Sequence, residues 1–258
     1  MPEGWNFYLC TVNDILASIA LDLGLRGQIP DLSKPELLWV WVYFKSPRPD
    51  GLSSDVEFDT LIEIEKQITK GVEQGFRAIL SGRITTAGRR EFYYYGAHSV
   101  GFKSVVADAL GRFPDYEFDC GVQMDPEWNQ YLNVLYPSDE QRQRIENRSV
   151  LDVLVQDGDT LKAPRDMFHW IYFRAKNDRN TFWDSIRLLE YRMQSQPDDP
   201  DREFPFGLCI VRFQSVKPEA VDEAVIELFR RAKEFHGDYD GWETEIISQR
   251  DSSMDRNS

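Results

Sequence analysis

The chain has 258 residues, 41% of them hydrophobic and 29% charged, which excludes wholesale disorder and leaves room for two cores. Thirty basic against 44 acidic side chains give a formal charge of −14, and it is evenly spread: 12 basic and 19 acidic residues up to Pro137, then 18 and 25. An acidic chain without a basic arm repels nucleic acid at long range, so direct nucleic-acid binding is not expected, whereas a protein partner with a basic surface suits it.

In chain order, 5–12 and 16–23 read as strands around a turn at Asn13-Asp14. The apolar run 37–44 is a third, buried strand; its eight residues fall short of the about 20 that a membrane helix needs. Pro47, Pro49, Asp50 and Gly51 then break the chain, and Phe58, Leu61, Ile62, Ile68 and Val72 share a helical face over 56–73. A hairpin is expected over 76–85 and 90–96 around Ala87-Gly88, a short helix over 100–111, and strands over 116–122 and 128–136. Pro137-Ser138 marks the boundary between two domains, 1–137 and 138–248, with a polar tail over 249–258.

Ser138 and Gln141 open a helix with the capping-box pattern, and it ends at Asp157-Gly158-Asp159. Strand 168–174, helix 178–192, edge strand 191–196, strand 206–214, helix from Pro218 to Gly237 and strand 239–248 follow. The expectation is an α+β protein of two domains. The first is a mixed sheet with two helices; the second is a ferredoxin-like β-α-β-β-α-β domain preceded by an extra helix.

Little here points to chemistry. Cys10, Cys120 and Cys209 are odd in number and widely spaced, the pattern of reduced thiols in a cytoplasmic protein, and Met1-Pro2-Glu3-Gly4 has no secretory-leader pattern. His98, His169 and His236 form no metal-binding spacing; His169 reads as a hydrogen-bonded strand residue at the sheet margin, and His236 as a helix cap. Asp157 and Asp159 can pair on a metal, but a loop after a helix accounts for Asp-Gly-Asp. GxxxxGK[ST], GxGxxG and GxSxG are all missing, so no catalytic residue, cofactor or metal is expected.

One constellation stands out. It comprises Gly158-Asp159-Thr160-Leu161-Lys162-Ala163-Pro164-Arg165, then His169-Trp170-Ile171-Tyr172-Phe173, and finally His236-Gly237-Asp238-Tyr239-Asp240-Gly241-Trp242-Glu243-Thr244. These segments resemble the RraB family, protein regulators of ribonuclease E activity. In the first half, Ala17-Ser18-Ile19 with Leu21-Asp22-Leu23, Asp50-Gly51-Leu52 and the run from Gly88 to Tyr95 are similar to domain of unknown function family 695. The RraB resemblance implies a ferredoxin-like fold and inhibition of the endoribonuclease by direct contact rather than catalysis. An immunity-type protein neutralising a toxin and an uncharacterised hydrolase are the alternatives.

Strand alternation gives the partner face. Ile171 and Phe173 face the core, with Trp170, Tyr172 and Arg174 opposite. Cys209, Val211 and Phe213 are assigned to the helix side, leaving Leu208, Ile210 and Arg212 open. Trp242 and Ile246 are assigned to the core, with Tyr239, Glu243 and Glu245 outward. The expected partner-binding residues are Trp170, Tyr172, Arg174, Ile210, Arg212, Tyr239, Glu243 and Glu245. An aromatic face of this kind needs a cover: the helix from Ser138, the first domain, a partner protein or stacked RNA.

Overall fold

The computed structural model describes residues 4–12 and 14–247. Asn13 of the expected first turn and the tail from Gln249 lie outside them. The chain divides into two units, one ending at Ser138 and the other starting at Asp139.

The first unit comprises β1 (Trp5–Val12), β2 (Ile15–Asp22), β3 (Glu36–Tyr43), α1 (Asp55–Phe76), β4 (Ile79–Thr86), β5 (Arg89–Gly96), α2 (Phe102–Leu110) and β6 (Phe118–Met124). Its six strands are ordered β1-β2-β4-β5-β3-β6. Every pairing is antiparallel, so the sheet is not mixed in strand direction. Ala87 and Gly88 both take positive φ, 48° and 75°, the requirement of the tight turn that joins β4 to β5.

The core side of α1 is Leu61, Ile64, Ile68, Val72 and Phe76, packed on Leu38, Val40, Phe92 and Tyr94. Phe58, expected on that side, is 51% exposed. The strand expected over 128–136 is instead a turn followed by a π-helical segment, Gln130–Leu135. Asp125 dictates this by accepting from the backbone N–H groups of Asn129 and Gln130, both at 2.9 Å. Trp128, Tyr131 and Leu135 are fully buried at helical rather than alternating spacing, and Trp128 stacks on Tyr95 at 3.8 Å.

The second unit comprises α3 (Asp139–Gln156), β7 (Arg165–Phe173), α4 (Lys176–Ile186), β8 (Arg192–Ser195), β9 (Phe206–Gln214), α5 (Pro218–Glu234) and β10 (Gly237–Thr244). After α3 the order is β-α-β-β-α-β, and the antiparallel sheet runs β10-β7-β9-β8, the ferredoxin-like arrangement. Leu151 and Leu154 of α3, Phe182 and Ile186 of α4, and Val221, Val225 and Leu228 of α5 share one core with Met167, Ile171 and Phe173. All three helices therefore lie on the same face, and the helix from Asp139 does not cover the other one.

Asn147 ties α3 down. It accepts from Trp242 Nε1 and donates to Asp222 of α5, each at 2.8 Å. Gly237 opens β10 because nothing larger fits: a Cβ there would stand 2.5 Å from the Phe173 ring. No helix among the described residues is long and apolar enough to cross a membrane.

The Asp-Gly-Asp loop holds an ion pair. Arg165 and Asp159 are both almost fully buried; the guanidinium grips the carboxylate through Nη1 and Nη2 and also donates to the Glu245 carbonyl at 2.7 Å. Asp159 further accepts from the N–H groups of Leu161 and Ile247. Hydrogen bonds from Arg165 above all hold its carboxyl down to about 2. Removing one member strands a buried charge, so Asp159→Ala should cost about 3–5 kcal/mol in denaturant unfolding of this unit, while Asp159→Leu with Arg165→Met should recover most of the loss. A loss under about 1 kcal/mol for the single variant would contradict the pair's structural role.

Candidate functional site

The face of the second sheet turned away from the helices is built by register. Antiparallel partners point the same way, so Phe168 groups with Val211 and Glu243, Trp170 with Cys209 and Gly241, and Tyr172 with Gly207 and Asp238. Asp166 and Phe213 extend the face at one end, and Arg192 and Ser195 come from β8. Phe168, Trp170 and Tyr172 are half-buried, and Phe213 is 64% exposed.

Polar contacts hold the aromatic rings in place. Trp170 Nε1 donates to Glu243 at 3.2 Å. Arg192 reaches both oxygens of Asp166 at 3.1 Å. The Arg202 guanidinium lies over the Tyr172 ring at 4.4 Å. Cys209 sits between Trp170 and Ser195 in the sheet, and burial first, then the charge of Glu243, pushes its thiol up to about 11.

Trp170, Tyr172 and Glu243 stand where alternation puts them. Ile210, Arg212 and Tyr239 do not. Ile210 is fully buried opposite His169, and Arg212 pairs with Met167 on the helix side, with its guanidinium over Tyr191 at 4.4 Å. The alternation of β9 is inverted because five consecutive residues, 207–211, are buried, so hydropathy cannot tell its faces apart. Cys209, Val211 and Phe213 consequently belong to the open face.

Tyr239 is misassigned for another reason. A bulge between Tyr239 and Gly241, where Gly241 takes φ 140°, inserts one extra residue and brings Tyr239 and Trp242 to the same side. Arg174 and Glu245 lie just beyond their strands. Arg174 pairs with Glu203 over Phe204, and Ile246, expected in the core, is 46% exposed. The sequence reading missed Phe168, Asp166 and Arg192. Strict alternation from Asp166 to Tyr172 carries the signal, but β7 starts three residues before the expected strand.

His169 is not at a margin. It lies on a central strand, fully buried, with Nδ1 at 2.8 Å from the Tyr239 hydroxyl and Tyr191 edge-on to its ring. Burial, with the Arg212 charge adding to it, lowers its pKa to about 3. His236 follows α5 in a left-handed conformation, and His98 packs edge-on against Phe76. Asp159 is committed to Arg165, and no metal-ligand cluster occurs among the described residues.

Such a face has the makeup of a docking surface: aromatic side chains fixed by a polar rim. The fold and the face together define a two-unit α+β protein whose ferredoxin-like second unit bares one side of its sheet. The model of a family of unknown function, DUF695, matches residues 3–136, more than half of the chain, and the chain belongs to that family. Residues 144–244 match the model described as regulator of ribonuclease activity B, RraB. These are the families to which the sequence motifs point, in the same halves. No curated protein matches the chain. A crystal structure of an unknown protein from Galdieria sulphuraria aligns over 83% of this chain and 99% of its own, at 9% identity and a TM-score of 0.22, too loose to inform fold or function.

A buried neutral histidine makes stability depend on pH. In the unfolded chain His169 takes up a proton near its ordinary 6.5, whereas the folded chain resists until about 3. Stability should therefore fall as pH drops below 6.5, by up to about 1.4 kcal/mol per unit. Urea midpoints at pH 7 and pH 5 should show this fall in the wild type and a flatter response in His169→Gln; equal slopes would refute the assignment.

Proposed function

We propose that this protein regulates an endoribonuclease of the ribonuclease E type, lowering its activity in the cytoplasm by direct protein contact and not by catalysis of its own. The observation that carries the reading is the coincidence of the RraB match with a bare aromatic sheet face, Phe168, Trp170, Tyr172 and Phe213, in the matched unit. The negative charge of both halves favours a partner site rich in lysine and arginine, and long-range attraction would steer the encounter.

Purified full-length chain should bind a ribonuclease E type enzyme and slow its cleavage of a fluorescent RNA. Association should slow as salt rises, since the Debye length shrinks from about 10 Å at 0.1 M to about 3 Å at 1 M. Trp170→Ala and Tyr172→Ala should each weaken binding by about 2 kcal/mol or more through faster dissociation, with the fold retained. Normal binding by both variants would move the site elsewhere. Salt-resistant binding to bare RNA in preference to the enzyme would overturn the reading.

A further inference from the structure

The sheet of the first unit is wider than its helical layer. Six strands at about 4.8 Å spacing span on the order of 25–30 Å. Packed helices take about 8–10 Å each, so α1 and α2 leave room for one more. The helix α2 packs on β6 and against α1, where a Cβ on Gly71 would stand 3.0 Å from Val105. α1 rests on β4 and β5. The uncovered strip is thus β1 and β2.

The strip is apolar where a third helix would lie. The register places Phe7, Ala20, Arg83 and Phe92 on one side of the sheet, the side of α1, and Leu9 with Ser18 beside them. Phe7 is 37% exposed and Leu9 56%. Phe58, Ile62, Glu65, Thr69 and Glu73 follow at helical spacing along one flank of α1, and Glu65 pairs with Arg83 of β4, so this flank faces the strip. At its end is a cavity of about 410 Å³ whose polar lining is Asp22, Glu65, Thr69, Glu73 and Arg83, with Trp5 beside them. Arg83 is taken up by Glu65, so among the described residues Asp22 and Glu73 form no ion pair, and Asp22 accepts only from the Gly24 N–H at 2.9 Å.

We propose that β1, β2 and the flank of α1 form a dock for an amphipathic α-helix of a partner protein, with its apolar side on Leu9, Phe58 and Ile62 and a lysine or arginine in the cavity between Asp22 and Glu73, against Trp5. A helix is the element that completes a helical layer on a sheet. A cation is what two unpaired carboxylates beside an indole ring accept. A second copy of this chain fits poorly, because it would bring fourteen further negative charges to those carboxylates. This dock is on the first unit and does not rest on the ribonuclease reading, which the Trp170 and Tyr172 variants test separately.

The test uses the full chain with a photo-crosslinking benzoylphenylalanine in place of Leu9, expressed in its native host and irradiated, followed by sequencing of the crosslinked peptide. The expected product is a single partner segment with apolar residues at i, i+3, i+4 and i+7 and a lysine or arginine at one end. Phe58→Glu in the same chain should cut the yield at least tenfold with the melting temperature unchanged, whereas Val153→Glu on α3 should leave it as it was. Should Phe58→Glu unfold the protein, the exposed charge reversal Glu73→Lys should produce the same loss. Crosslinks to a second copy, to the same chain or to an extended or acidic segment, or no crosslink at all, would overturn the proposal, as would a yield insensitive to both variants.

Discussion

Arg165 carries its guanidinium into the interior at the first position of β7, and the second unit is arranged around keeping that charge satisfied. Taking a guanidinium and a carboxylate out of water costs several kcal/mol per ion, which their attraction offsets only when the remaining donors and acceptors are occupied. Here they are occupied by chain segments far apart in sequence: Asp159 from the loop after α3, the carbonyl of Glu245 and the N–H of Ile247. The pair therefore fixes where β7 starts and where the chain leaves β10. Two antiparallel neighbours held at one end have their register set, and register decides which side chains reach each face. The buried ion pair thus pins the end of the β7–β10 pairing nearest Phe168 and Glu243.

How far the sequence discloses this depends on how strongly the two sides of each element differ. β7 alternates cleanly from Arg165 to Phe173, so Trp170 and Tyr172 are legible as open and Ile171 and Phe173 as core. Pro218 marks the first residue of α5, and the bounds of β9 are legible as well. The faces of β9 are not, because apolar residues line both. Nor is Tyr239, because a bulge breaks the period of two without leaving a pattern in hydropathy, although Gly241 could have raised the suspicion. Trp128, Tyr131 and Leu135 carry a helical period that aromatic content disguised as a strand. Asp159 is visible as a turn residue, but its ion pair is not, since Arg165 lies in a different element.

The two units solve the same problem with different completeness. Three helices cover one side of a four-stranded sheet in the second, whereas two helices cover one side of a six-stranded sheet in the first. Both leave apolar side chains in view, and both edge them with charge. On the second unit the charges pair among themselves, as Arg192 does with Asp166. On the first, Arg83 pairs with Glu65, while Asp22 and Glu73 form no ion pair among the described residues.

Cys209 lies within the open face but is only 1% exposed, and its thiol is raised to about 11. The thiolate is the form that reacts with oxidants and electrophiles, and at pH 7 roughly one such thiol in ten thousand is ionised. A cysteine in the middle of a docking surface would ordinarily make that surface sensitive to peroxide or glutathione. Shielded and held protonated, the Cys209 thiol gives this face no such sensitivity.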